Sequence, residues 1–337
     1  MDTTKLEHLF STLDQAVLLL QEELDGSYIE ALAETIQNIA YDNQAQQMDG
    51  LPSEETVKQL NRLYRQLKLN EESREVTHKL LQLSYIKAIK EDKIQVNHQI
   101  TPDTIASLIA YFTAVVLGDN KEAIHVHDLA VGTGNLLSVV MEALEGKGKS
   151  VTAELVDNDD LLISLASNGL HLQGWGENVQ FTHSDSLQEL LIQPADLAVS
   201  DLPVGYYPVD DRAKKFQTSF KEGHSFAHYL LIEQHLKYLK EGGWGVFIVP
   251  KDLFESDNQG VLMKWLKGAG YLQAMLHLPQ TLFQSEKMQK SIVMIQKKGN
   301  GSKQAKQVLL ANMPDLKDAR RMKEFLENFN NWREKML

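Results

Sequence analysis

The fold of this chain is decided by the stretch His127-Asp128-Leu129-Ala130-Val131-Gly132-Thr133-Gly134-Asn135-Leu136-Leu137. A largely apolar run, residues 123–126, precedes it, and a run compatible with a helix, residues 136–144, follows it. This order predicts a strand, a tight glycine turn and a helix. Gly132 and Gly134 can adopt backbone angles closed to other residues, and the free N–H groups of the following helix suit an anion. The stretch therefore predicts a cofactor site, although such a turn also occurs for packing alone.

The composition is that of an ordinary globular protein. The 337 residues are 43% hydrophobic and 24% charged, and they suffice for one large domain and a smaller one. The absence of cysteine excludes disulfides and thiolate ligands, and we predict no metal site. No apolar run reaches the length of a membrane span, and the acidic N-terminus is unlike a signal peptide. We therefore expect a cytoplasmic protein without a membrane partner.

Charge is unevenly distributed along the chain, whose net charge is −12. Residues 1–50 contain ten acidic residues and one lysine, whereas residues 297–337 contain ten Lys or Arg and five acidic residues. Phosphate neutralisation dominates the affinity of proteins for nucleic acid, so the overall charge opposes unaided binding to a duplex. We interpret the basic C-terminal segment as the solvated face of a terminal amphipathic helix.

The N-terminal part of the chain is predicted to be helical. Over residues 1–95, apolar residues recur at helical spacing and no strand pattern is found. Breaks fall at residues 25–27 and 49–53, and Ser53 is a plausible start for the next helix. We therefore predict a helical N-terminal domain that packs on the rest of the chain or receives a partner.

From residue 96 to residue 337 the pattern changes to strands that alternate with helices and a C-terminal helix. Alternation of this kind predicts an α/β domain with a mostly parallel sheet covered on both faces. The last of seven strand candidates follows its neighbour after only a loop, so it should be antiparallel. The candidates are residues 125–130, 151–156, 179–182, 197–200, 244–249, 274–278 and 291–296.

Polar residues follow four of these strand candidates. In an open α/β sheet, ligands bind at the carboxyl ends of the strands. The glycine turn follows the first candidate, Asp157 follows the second, Asp185 the third and Asp201 the fourth. Asp157 could accept hydrogen bonds from a ribose diol, and Asp185 one from an adenine amine. Each aspartate alone would be read as a helix cap, but four polar strand ends in register favour a binding site.

These residues resemble those of class I S-adenosylmethionine-dependent methyltransferases, and within that class those of adenine-specific DNA methylases. The resemblance is greatest to modification subunits of type I restriction systems and their Gram-positive bacterial relatives. It covers residues 96–300 and implies a Rossmann-like seven-stranded sheet. The segments that carry it are Gln99-Ile100-Thr101-Pro102, residues 128–134, Asp201-Leu202-Pro203-Val204, residues 239–250 and residues 276–283.

The resemblance implies S-adenosylmethionine as cofactor. It implies that Asp201 and the Leu202 carbonyl accept the two hydrogen bonds of a target amino group, while Pro203 holds the loop rigid. The cofactor supplies the electrophile, so neither a metal nor a covalent enzyme intermediate is required. The implied cofactor-binding residues are Thr101, Pro102, Asp128, Ala130, Gly132, Thr133, Gly134, Asn135, Leu136, Asp157, Asn158, Asp185, Ser186 and Asp201.

The chain departs from the family pattern at two positions. Leu202 replaces the first proline, and Val204 replaces the aromatic residue that stacks on a flipped base. Tyr206 and Tyr207 lie close by but are displaced along the loop. These departures weaken the case for base methylation more than the case for cofactor binding.

Two functions therefore remain. The first is an N-methyltransferase that acts on adenine in DNA or RNA or on a protein amide. The second is a catalytically degenerate S-adenosylmethionine-binding module that serves a partner protein. A nicotinamide dehydrogenase would need a third glycine at Leu137 and explains none of the other segments. We expect the nucleic acid or protein substrate to be reached through a partner subunit, with the helical N-terminal domain as a docking surface.

Overall fold

A computed structural model describes residues 3–93, 100–118, 122–257 and 260–337. The chain divides into two compact units. The first comprises Met1–Asp103, Val131–Ser138 and Asp157–His183, and the second comprises Thr104–Ala130, Val139–Val156 and Ser184–Leu337. The predicted domain boundary at residue 95, like Gln99, lies outside the described residues.

Helices and strands are numbered here in chain order. The helices are α1 (Thr3–Leu24), α2 (Tyr28–Ala40), α3 (Glu54–Leu67), α4 (Arg74–Glu91), α5 (Asp103–Leu117), α6 (Asn135–Glu145), α7 (Asp160–Leu172), α8 (Asp210–Ala213), α9 (Ala227–Lys237), α10 (Val261–Ala269) and α11 (Ala319–Met336). The strands are β1 (Ala123–Asp128), β2 (Ser150–Asp157), β3 (Val179–His183), β4 (Ala195–Asp201), β5 (Leu239–Pro250), β6 (Gly270–His277), β7 (Lys290–Lys297) and β8 (Leu309–Asn312). None of the helices within the described ranges is long and apolar enough to cross a membrane.

The first unit is built mainly from helices, as its sequence predicts. The break at residues 25–27 separates α1 from α2, and Ser27 forms a capping box with Glu30. Ser53 begins α3, because its hydroxyl accepts a hydrogen bond from the Thr56 amide at 3.3 Å. Apolar residues at helical spacing in α1 to α4 form one core, which Leu162 and Leu165 of α7 extend.

In the second unit the strands lie in the order β2-β1-β4-β5-β7-β6-β8. β2, β1, β4 and β5 are parallel, and β7 lies antiparallel between β5 and β6. The predicted α/β class, the mostly parallel sheet and the antiparallel strand at residues 291–296 are therefore confirmed. The predicted number of seven strands is wrong, since the described residues contain eight. β8 was missed because it has only four residues, none fully buried, and so lacks the apolar run of a central strand.

The order of the strands reverses between β1 and β4. From β1 the chain proceeds to its neighbour β2, and β4 then pairs with the other side of β1. A reversal of this kind leaves a crevice outside the carboxyl ends of the two strands, where open α/β sheets bind ligands. Asp128 ends β1 and Asp201 ends β4, so both lie at the carboxyl ends of these two strands.

Candidate active site

The two glycines of the turn have different structural roles. Gly132 has a φ of +55°, and a Cβ atom built there would meet nothing within 4 Å. Gly134 has a φ of +77°, and its Cβ would lie 3.3 Å from Leu170 and 3.4 Å from Ala166, both of α7. Both positions favour glycine by conformation, but only Gly134 is also tightly packed. The open space at Gly132 therefore leaves room for a ligand to approach the main chain.

Asp157, the last residue of β2, is a buried carboxylate held by backbone amides. The Gly132 amide donates to its Oδ2 at 2.8 Å, and the Asp159 amide donates to its Oδ1 at 3.1 Å. Burial raises the pKa of Asp157, and the hydrogen bonds from these two amides oppose that rise. Each carboxylate oxygen has a second lone pair, so the side chain can still accept two hydrogen bonds from a ribose diol. This geometry fits the cofactor that the sequence implies.

Asn135 connects the start of α6 to the segment that precedes α5. Its side-chain amide donates to the Thr101 carbonyl at 2.7 Å and to Asp103 at 3.3 Å. Asp103 also accepts hydrogen bonds from Lys79 and Gln82 of α4. Within the first unit, α4 is therefore hydrogen-bonded to Asp103. Asp103 is in turn hydrogen-bonded to Asn135, which directly follows the glycine turn. Asn135 and Thr101 are both buried, and the Asn135 side chain holds this backbone in place.

Asp128 and Ser186 shape the backbone after β1 in the second unit. Asp128 is buried and accepts a hydrogen bond from the Ala130 amide at 3.0 Å. The Ser186 hydroxyl donates to the Leu129 carbonyl at 2.5 Å. Both side chains fix the path of residues 128–130.

Asp185 is held by a cation and a phenol. Its Oδ2 accepts hydrogen bonds from the Tyr207 hydroxyl, at 2.5 Å, and from Arg212, while the Leu187 amide donates to Oδ1 at 2.9 Å. Burial, and secondarily the hydrogen bond to Asp185, raises the pKa of Tyr207 to about 12, so the phenol stays protonated and can donate. A cofactor amine that binds Asp185 would share the carboxylate oxygens of Asp185 with Arg212 and Tyr207.

Asp201 forms an ion pair that the sequence did not predict. Lys290 donates to its Oδ1 at 2.7 Å. Asp201 pairs with Ile248 of β5, and Pro250 of the same strand pairs with Lys290 of β7. The lysine side chain therefore spans β5 to reach the end of β4. Both side chains are less than a third exposed.

Leu202, Pro203 and Val204 follow Asp201 at the carboxyl end of β4. Leu202 is 1% exposed, and its amide donates to the Ile248 carbonyl at 3.1 Å. Val204 is 41% exposed. Leu202 is thus fixed by the core and by β5. Val204, at the position where the family has an aromatic residue, presents an aliphatic side chain at the surface.

The structure divides the predicted site residues between the two units. The first unit contains Thr101, Pro102, Gly132, Thr133, Gly134, Asn135, Leu136, Asp157 and Asn158, and the second contains Asp128, Ala130, Asp185, Ser186, Asp201, Leu202 and Pro203. Hydrogen bonds join Gly132 to Asp157 and Asn135 to Thr101. Pro102 and Asn158 have exposed side chains. Among the described hydrogen bonds, none joins either side chain to another predicted site residue.

Sequence reasoning missed four residues that bind the predicted ones. These are Asp103, Tyr207, Arg212 and Lys290. The available signal was a charged residue at the start of an apolar strand, such as Lys290 in β7. This signal does not identify the partner of the lysine, because the partner depends on the order of the strands in the sheet.

Comparison with known proteins extends these observations. The sequence profile of the N-6 DNA methylase family matches residues 85–334, and that of the YtxK N-terminal helical domain matches residues 7–89. The chain is 37% identical over 324 residues to the uncharacterized protein YtxK of Bacillus subtilis (strain 168), with 96% of each covered.

Solved structures give the same picture. A Listeria monocytogenes protein assigned to the class I S-adenosylmethionine-dependent methyltransferases is 40% identical, with a TM-score of 0.89 and with 98% of this chain and 99% of that chain covered. The methyltransferase subunit of a type I restriction-modification system from Streptococcus thermophilus is 17% identical, with a TM-score of 0.63 over 93% of this chain and 73% of that chain. The latter likeness concerns the fold alone.

Proposed function

The chain belongs to the N-6 DNA methylase family of S-adenosylmethionine-dependent methyltransferases, and we propose that it transfers a methyl group to an amino nitrogen. Two classes of substrate offer such a nitrogen, namely adenine in DNA or RNA and a side-chain amide of a protein. One observation carries this proposal. Asp201, Leu202 and Pro203 follow β4 where the strand order reverses, at the position in an open α/β sheet where ligands bind.

The residues present fit the cofactor. Asp157 offers two acceptor positions to a ribose diol, and the space above Gly132 admits a ligand to the main chain. Asp185 offers a carboxylate to an adenine amine in exchange for Arg212. The other residues that we assign to cofactor binding shape the backbone around these groups. S-adenosylmethionine, when bound, supplies an electrophilic methyl group on a sulfonium.

The chain itself would activate the target nitrogen. An amino group conjugated to a ring or a carbonyl is a poor nucleophile, because its lone pair is delocalised. Asp201 would accept a hydrogen bond from one of its N–H groups and the Leu202 carbonyl from the other, which favours a tetrahedral nitrogen and frees the lone pair. The buried Leu202 side chain and the hydrogen bond to Ile248 hold that carbonyl in a fixed place. Catalysis then consists mainly of orientation for in-line attack.

A second candidate function is favoured by Lys290. Its ammonium group donates to Oδ1 of Asp201, so it competes for the carboxylate that would accept from a target amino group. Together with the missing ring at Val204, this contact supports a catalytically degenerate module that binds S-adenosylmethionine and serves a partner protein. The net charge of −12 supports a partner for either function, and we propose the N-terminal residues 1–95 as its docking surface.

The test combines calorimetry with methyl transfer. Wild type and Asp201→Ala are titrated with S-adenosylmethionine and incubated with labelled cofactor and pooled DNA, RNA or protein. We expect Asp201→Ala to reduce transfer by about 100-fold or more, the scale of a lost general-acid–base or orienting group, and to affect cofactor affinity less. Asp160→Ala, which removes an exposed carboxylate, is the matched control and should change neither.

Two outcomes contradict the proposal in different ways. Cofactor binding without transfer to any pool would establish the degenerate module. No binding by the wild-type protein would remove both functions.

A further inference from the structure

Asp103, the first residue of α5, joins α4 to the start of α6 within the first unit. Its Oδ2 accepts a hydrogen bond from Lys79, and its Oδ1 accepts one from Gln82. The Asn135 side chain donates to the same Oδ1 at 3.3 Å, and His78 Nε2 lies 3.4 Å from it. Three side chains of α4 and the first residue of α6 therefore meet at one carboxylate. We call these five residues the Asp103 junction.

A second set of contacts connects α4 to the first turn of α6. His78 Nδ1 lies 3.3 Å from Gln173 Oε1, and the Ser138 hydroxyl donates to that same oxygen at 2.5 Å. Gln173 is itself held, because its Nε2 donates to the Gly169 carbonyl at 3.0 Å and its main-chain carbonyl accepts from Arg74 at 2.9 Å. His78, Gln173 and Ser138 are buried, so water competes little for their hydrogen bonds. Two connections thus run from α4 to the first turn of α6.

The first turn of α6 directly follows the glycine turn, and its free N–H groups suit an anion. The only anionic group of S-adenosylmethionine is the carboxylate of its amino-acid part, since ribose and adenine are neutral. Asp157 is assigned to the ribose, which leaves the first turn of α6 for the amino-acid part. Asn135 also donates to the Thr101 carbonyl at 2.7 Å and so holds the segment before α5 against this turn.

We propose that Asp103 is a positioning residue through which α4 sets the place of the first turn of α6, so that α4 supports the site for the amino-acid end of S-adenosylmethionine. This inference rests on the proposed cofactor binding and adds a means of regulating it. Coupling between two sites is reciprocal, so bound cofactor should hold α4 more firmly. By the same coupling, a protein that docks on residues 1–95 can change the affinity for the cofactor.

The experiment is calorimetry of the full chain with two ligands, S-adenosylmethionine and methylthioadenosine, which lacks the amino-acid part. We expect Asp103→Ala to weaken S-adenosylmethionine binding by about 5- to 150-fold, the range of coupling between sites, and methylthioadenosine binding by less than about twofold. A merely structural role would lower both affinities together. Asp103→Asn, which keeps an acceptor oxygen for Asn135, should lose less than Asp103→Ala.

Lys79→Met tests the coupling from the α4 side. In the described hydrogen bonds and ion pairs, the Lys79 ammonium group contacts Asp103 and Gln82 and none of the residues assigned to the cofactor. The variant leaves the carboxylate in place, so it also serves if Asp103→Ala does not fold. We expect a loss of about 2- to 5-fold for S-adenosylmethionine alone. Lys90→Met, an exposed lysine of the same helix, is the matched control and should change neither affinity.

Hydrogen–deuterium exchange gives a readout that does not depend on affinity. Saturation of the wild-type protein with S-adenosylmethionine should slow amide exchange in residues 78–82 of α4. In Asp103→Ala and Lys79→Met, measured at the same saturation, the cofactor should slow this exchange less. In Lys90→Met it should slow the exchange as in the wild type.

Each outcome decides the proposal. Unchanged affinities, or equal losses for the two ligands, in both Asp103→Ala and Lys79→Met overturn the positioning role and leave cofactor binding intact. Exchange in residues 78–82 that ignores the cofactor overturns the coupling, and it decides alone if methylthioadenosine binds too weakly to measure. Absence of S-adenosylmethionine binding by the wild-type protein is a failure of the proposed function itself and removes the premise of the inference.

Discussion

Asp157 and Asp201 are both aspartates at the end of a parallel strand, yet they are held in different ways. Backbone amides of Gly132 and Asp159 bind Asp157, whereas the Lys290 side chain binds Asp201. Asp185 resembles Asp201, because Arg212 contacts it. An amide is fixed by the fold, but a lysine or arginine side chain can rotate away. The comparison distinguishes a permanent acceptor at Asp157 from acceptors with exchangeable cations at Asp185 and Asp201.

The energetic difference follows from exposure. A partly solvated ion pair contributes only about 0–1 kcal/mol, so a substrate or cofactor donor can replace the cation at modest cost. Asp157 is buried and cannot lose its amide donors without a change in the glycine turn. We therefore expect the first carboxylate to behave as a rigid contact and the other two as adjustable ones.

The largest effect should come from Asp157→Ala. It removes two charge-assisted hydrogen bonds to the ribose diol, and we expect S-adenosylmethionine affinity to fall by about 100-fold or more in calorimetry. Asp160→Ala, an exposed carboxylate three residues away, is the control and should bind normally. Normal binding by a folded Asp157→Ala protein would erase the distinction.

The affinity for S-adenosylmethionine should fall by about tenfold for each pH unit below the pKa of Asp157. Because burial raises the pKa of Asp157, its carboxylate protonates at a higher pH than an ordinary aspartate and loses acceptor positions as the pH falls through that pKa. In this window the folded state takes up the proton more readily than the unfolded state, so titration of Asp157 itself stabilises the fold. The slope thus reports binding, and Asp157→Asn should lack it.

Replacement of the cation on Asp201 should have a smaller effect of opposite sign. Lys290→Met removes a positive charge beside the nitrogen that becomes positive during attack, and we expect methyl transfer to rise by about 3- to 10-fold. Lys240→Met is the control, since Lys240 pairs with Asp196 at the other end of β4. A decrease with Lys290→Met and an unchanged control would indicate that Lys290 orients Asp201 instead of competing with the substrate.

Arg212→Met should have the smallest effect. The Leu187 amide and the Tyr207 hydroxyl remain on Asp185, so we expect S-adenosylmethionine affinity to change by less than about threefold. Lys214→Met, which removes an exposed pair with Asp211, provides the comparison. A tenfold loss specific to Arg212 would mean that the guanidinium contacts the cofactor directly.

Local patterns predicted much of the fold and the identities of the candidate residues. Ser53 could be placed at the start of a helix, and Asp157 and Asp201 at strand ends, because these features depend on neighbouring residues. The partners of those residues depend on strand order. Lys290 is 89 residues from Asp201 in sequence and approaches it only because β7 pairs with β5.

The two glycines illustrate the same limit. Both predict a tight turn, but the tight packing of Gly134 comes from Leu170 and Ala166 of α7. The stacking of Tyr206 on Phe226 was also beyond prediction. Tyr206 and Phe226 are separated by a loop whose return is fixed by backbone hydrogen bonds.

The position of β7 between β5 and β6 has a consequence for the order of folding. In the sheet, β6 is bordered by β7 and β8, both of which are synthesised after it. β6 therefore has no strand partner until β7 has emerged from the ribosome. β7 also begins with Lys290, so the carboxylate at the end of β4 acquires this counter-ion only after β7 has been synthesised.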